Sequence, residues 1–144
     1  LAFSIMQVAG MATRVFLGWI SDQFMSATRL MGVVGLLIAI VLGILPFMNA
    51  SWPPIFIFLF SGLIGAFVMG WSGVYLAEIA RIVRHEDVAI ATGGTVFFSF
   101  LGAALGPTLF SLILSGTGNY TSAFITIGAI AGSVGLLILA TQHR

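Results

Sequence analysis

Arg14 stands inside an apolar stretch, and with Ser4, Gln7, Met11 and Gly18 it falls at helical spacing on one face. A guanidinium placed there can bind an anion, pair with a carboxylate of a neighbouring helix, or extend its charge to the end of the apolar run. A second polar face is made by Trp71, Tyr75 and Glu78, spaced four and then three. Glu78 is the only carboxylate inside a predicted helix, so it is the group there able to take up and release a proton. Its expected depth matches that of Arg14, and the two could form an ion pair; a local contact with Arg81, three residues on, is the alternative. A third face holds Thr92, Thr95, Ser99, Gly102 and Gly106, with Pro107 directly after it. Hydroxyls and glycines at this spacing suit close helix packing through Gly102-x-x-x-Gly106, or a water-lined wall. Pro107 removes a backbone donor and is expected to bend its helix.

Other chemistries lack their residues. There is no cysteine, which excludes disulfides, thiolate metal sites and cysteine nucleophiles. His85, Glu86 and Asp87 form a compact cluster that suggests metal or acid–base chemistry. No second ligand set accompanies it, no His/Glu pair stands at i,i+4, and no Ser-His-Asp order appears, so a solvated turn accounts for it. The chain is expected not to be an enzyme and to need no metal or cofactor. It has no lysine, and its few arginines make no basic stripe for nucleic acid.

The elements that position these residues are set by composition. The chain is 60% hydrophobic and 6% charged, with a mean hydropathy of +1.18, against about 25% charged residues in a soluble domain. So apolar a chain cannot cover a water-facing surface, and lipid is its solvent. A spanning helix takes roughly 20 mostly apolar residues. Charged or turn-rich islands leave five such runs, over about 1–21, 30–48, 54–80, 88–114 and 122–141. These runs are too long and too unbroken for barrel strands. The fold is therefore an all-α integral membrane bundle, a single transmembrane unit over 1–144. Arg29, Arg81, Arg84 and Arg144 lie in the segments that must share one side, and the opposite loops, 49–54 and 115–121, carry no charge. Positive residues stay inside, so the N-terminus is expected outside and the C-terminus inside. Trp52 and Tyr120 then mark the outer interface and Trp19 the inner one. Asn49-Ala50-Ser51 and Asn119-Tyr120-Thr121 match the glycosylation sequon in the outer loops, a pattern that is common by chance.

The small-residue faces Gly32, Gly35, Ala39, Gly43 and Gly128, Gly132, Gly135 carry no polar stripe. Their two helices are expected to support the bundle from outside, while the other three face something polar. The apolar run begins at Leu1 without a basic leader, so the start is expected to be a cut through a longer protein or a misassigned gene start.

Arg14-Val-Phe-Leu-Gly18-Trp-Ile-Ser-Asp22 resembles the inner-loop motif of the major facilitator superfamily, in which Gly, three residues, Asp and then basic residues close a helix. The Gly70-to-Glu78 stretch before an arginine-rich loop, and Thr92-Gly93-Gly94 leading to Gly102-x-x-x-Gly106-Pro107, are similar to later elements of that family. The order matches helices 8 to 12 of its usual twelve. Gln23, Met25, Ser26 and Ala27 depart from the family's basic and glycine positions after Asp22, and Arg29 comes late.

The resemblance implies the C-terminal part of a secondary transporter in a bacterial cytoplasmic membrane. Its partners would be a small solute, lipid and the missing N-terminal part. It implies a lining of Gln7, Arg14, Trp71, Tyr75, Thr95 and Ser99, and a gating motif at Gly18, Asp22 and Arg29. Arg14 points to an anionic substrate, and Glu78 is the candidate for proton coupling. The rival readings are a five-helix structural or accessory subunit and, further off, a membrane-embedded enzyme.

Overall fold

The computed structural model describes residues 1–48 and 52–141. The described residues form helices and no strand, and five helical units are long and apolar enough to cross a membrane. The chain is thus a multi-pass membrane protein. The Asn49 sequon and the tail with His143 and Arg144 lie outside the described residues.

The first crossing, α1, is Ala2–Gln23. The second, α2, is Ala27–Ile44, extended by a 3-10 turn over Leu45–Phe47. It starts earlier than the apolar run suggests because Ser26 caps it, its hydroxyl accepting from the Arg29 amide at 3.4 Å. Arg29 therefore belongs to the first turn of α2 rather than to a loop.

The third crossing is continuous from Pro54 to Ile82 but not uniform. It comprises α3 (Pro54–Ile64), a π turn (Gly65–Met69) and α4 (Gly70–Ile82). The fourth, α5, is Val88–Thr117 and runs unbroken through Pro107. It stops at Gly118, whose φ of 64° is the left-handed conformation that ends helices and favours glycine. The fifth, α6, is Tyr120–Thr141. Asn119 begins it, its side-chain oxygen accepting from the Thr121 amide at 2.9 Å, which gives this sequon asparagine a capping role.

Two close helix pairs organise the bundle. In the first, α1 runs parallel to the third crossing with a constant difference of 59 in residue number. Met6 lies against Gly65, Gly10 against Met69, Arg14 against Gly73, and Asp22 against Arg81. In the second, α2 and α6 run antiparallel through their glycine faces, Gly35 against Gly135 and Ala39 against Gly132. Both are the small-residue packing that brings helix backbones together where no hydrophobic effect drives them. Leu17, Ala27, Leu30, Val34 and Val74 join the pairs in a buried core near the arginine-bearing end. The exception is α5, on which no residue is buried. Gly102 and Gly106 have open space where a side chain would stand, so their small-residue motif meets no other helix of this chain.

Candidate functional site: a polar pocket beside a π turn

Arg14 donates through Nε to the Met69 carbonyl at 3.1 Å. The constant offset puts Arg14 level with Gly73, so Met69 lies four residues, roughly 6 Å, further from the arginine-bearing end. The side chain thus runs back towards the middle of the span, following the N-terminal tilt of helical Cα–Cβ bonds. Snorkelling to the nearer surface would send it the other way. Because α1 continues to Gln23, Arg14 stands nine residues, roughly 14 Å, from that end.

The acceptor is supplied by the π turn. Such turns interrupt the regular ladder and recur at functional sites. Met69 is its last residue, and its carbonyl accepts from the Ser72 hydroxyl at 3.3 Å as well as from Arg14. The side chains of Arg14, Gln7 and Met11 meet Gly10 and Met69 around a pocket of about 170 Å³. Glycines make this approach possible: a Cβ on Gly65 would overlap the Met6 carbonyl, and one on Gly70 would stand 2.8 Å from the Thr13 methyl.

Glu78 does not complete this site. Among the described residues it forms an ion pair with neither Arg14 nor Arg81. Arg81 instead pairs with Asp22, tying the end of α1 to the end of α4, and Arg84 pairs with Asp87 at 2.9 Å. The expected Arg14–Glu78 pair fails on register: matched depth did not fix the azimuth. On α4, Gly70 and Gly73 face α1, whereas Trp71, Tyr75 and Glu78 share a face turned away from that contact.

The expected lining is therefore divided. Gln7 and Arg14 share the α1 pocket, while Trp71 and Tyr75 border a different cavity, of about 450 Å³, among α2, α4 and α6. Thr95 and Ser99 stand on α5, bonded to their own helix: Thr95 to the carbonyls of Ala91 (2.8 Å) and Thr92 (2.9 Å), Ser99 to that of Thr95 (3.0 Å). Gly18 faces open space, and Asp22 is engaged by Arg81 rather than by Arg29. His85 and Glu86 are exposed, and no group of three potential metal ligands occurs among the described residues. The π turn was missed in the sequence; the trace it left is the run Gly62, Gly65, Gly70, Gly73 inside one apolar segment.

Compared with protein-family models, with curated proteins and with solved structures, the chain matches none.

Proposed function

We propose that the chain is part of a secondary active transporter moving a small, anionic solute across the cytoplasmic membrane by alternating access. The observation that carries this reading is Arg14, a cation directed towards mid-span beside Gln7 and the Met69 carbonyl. A charge at that depth is costly, and charges kept there mark solute and ion pathways. The Met69 bond uses Nε and leaves the terminal guanidinium nitrogens for a carboxylate or phosphate oxygen. The motif around Gly18 and Asp22 supports membership of the major facilitator superfamily, with α1 to α6 supplying its helices 8 to 12. In this reading the Asp22–Arg81 pair holds the inner face shut in one state. The N-terminus is outside and the C-terminus inside, Glu78 is the candidate proton carrier, and the uncovered α5 meets the N-terminal half.

Uptake of labelled small carboxylates and phosphate, in membrane vesicles from cells expressing the full open reading frame, tests this. Arg14→Gln should abolish uptake of the transported anion, and Arg14→Lys should not restore it, because lysine lacks the planar fork. Uptake unchanged by either substitution would remove Arg14 from the pathway. Failure to transport any of these solutes would favour an accessory subunit.

A further inference from the structure

We propose that the Arg14 pocket selects its anion by charge number, accepting a small monovalent oxoanion and rejecting divalent ones. This selectivity rests on the reading of Arg14 as an anion site and adds to it the class of solute. Gln7, Gly10, Met11, Arg14 and Met69 line the pocket, and Arg14 is the only charged residue among them. The Met69 carbonyl occupies Nε at 3.1 Å. The two terminal nitrogens remain, a planar fork that matches two oxygens of one carboxylate or of nitrate. Gln7 adds a donor without adding charge. A thioether sulfur has no hydrogen to donate, so Met11 and Met69 hold no second anionic group. Of the other described arginines, Arg81 pairs with Asp22, Arg84 pairs with Asp87, and Arg29 stands in the first turn of α2. None of them lines the pocket.

Charge then decides between ligands. A monovalent anion on Arg14 makes a neutral, hydrogen-bonded pair, the form in which ions are tolerated away from water. A divalent anion leaves a whole negative charge uncompensated inside a crossing, where it is costly. Volume sets the upper size. The pocket of about 170 Å³ corresponds to roughly six water molecules at about 30 Å³ each, so the anion has about six non-hydrogen atoms or fewer. Short monocarboxylates and nitrate share this chemistry.

Phenylglyoxal, which adds covalently to guanidinium groups, reads the site without transport. In membrane vesicles from cells expressing the full open reading frame, mass spectrometry of the peptide that bears Arg14 follows its modification. Oxamate and oxalate match in non-hydrogen atoms and differ by one charge. Oxamate should protect Arg14 at a concentration about tenfold below that needed of oxalate. Gluconate, monovalent but too large, should protect weakly. Nitrate separates the two sources: better protection by nitrate than by oxamate assigns the pocket to inorganic oxoanions, and the reverse assigns it to carboxylates. Gln7→Lys supplies a second cation and should reverse the order, oxalate then protecting better than oxamate. The proposal is overturned if oxalate or gluconate matches oxamate on the unsubstituted protein, or if a membrane-inserted Gln7→Lys keeps the original preference. Equal protection by oxalate would still leave Arg14 an anion site and the transport reading intact. An Arg14 that no anion protects, or that the reagent never modifies, would overturn both.

Discussion

The Arg14 guanidinium and the Met69 carbonyl meet at 3.1 Å, with the acceptor one helical turn deeper than the arginine's own level. Holding a cation away from the nearer surface costs free energy that one hydrogen bond to a carbonyl offsets only in part. Arg14→Met should therefore leave thermal stability unchanged or raise it, by about 1 kcal/mol, while abolishing solute uptake. Melting curves and uptake measured on the same preparations check this; loss of stability parallel to loss of activity would make Arg14 a structural residue.

The contact between Gly65 and the Met6 carbonyl leaves no room for a methyl group. Gly65→Ala should force α1 away from the π turn and cost about 1–3 kcal/mol, the range for overpacking. Gly18→Ala is the control, because open space surrounds that position. It should be neutral, or stabilise by roughly 0.5 kcal/mol through helix propensity. Chemical denaturation in mixed micelles separates the two outcomes.

Asp22 and Arg81 are both about half exposed, with side-chain exposures of 54% and 52%. A pair this open contributes about 0.2–1 kcal/mol. A double-mutant cycle on Asp22→Asn and Arg81→Gln should give a coupling in that range that shrinks with added salt. Coupling of several kcal/mol would show that the pair is dehydrated in the membrane.

The α2–α6 contact offers a test in a cysteine-free background. A Cβ at position 132 would stand 3.0 Å from that of Ala39. That is near the spacing bridged by disulfides, whose Cβ atoms lie about 3.5–4.5 Å apart. The Ala39→Cys/Gly132→Cys double variant should crosslink under mild oxidation. Ala39→Cys with Gly106→Cys should not, because nothing in this chain stands against Gly106.

Sidedness follows from the number of crossings and can be read by labelling. Ser26→Cys and His85→Cys should react from the same side of the membrane, and Gly118→Cys from the other. Labelling of all three by an impermeant maleimide added from one side would contradict five crossings.

The amino-acid sequence by itself determined that this protein lives in lipid and how many times it crosses. Hydrocarbon admits only long apolar runs with internally satisfied backbones, so the charged groups at Asp22 and Arg81–Asp87 had to fall at or beyond the ends of crossings. The same constraint made Arg14 conspicuous before any partner was known. Cap positions were legible only to within a few residues, because Ser26 and Gly118 draw the helix ends into polar segments that hydropathy assigns to loops.

Which polar groups meet was decided by tertiary structure alone. Depth is written along the chain, but azimuth and register between helices depend on which glycine faces interlock. The interlock of Met6, Gly10 and Thr13 with Gly65, Met69 and Gly70 turns Arg14 towards a carbonyl. It also turns Glu78 away from the α1 contact and leaves Asp22 to Arg81. The π turn, a one-residue change in hydrogen-bond register, has no hydrophobic signature that would have announced it. Yet it lies at the acceptor on which the placement of Arg14 depends.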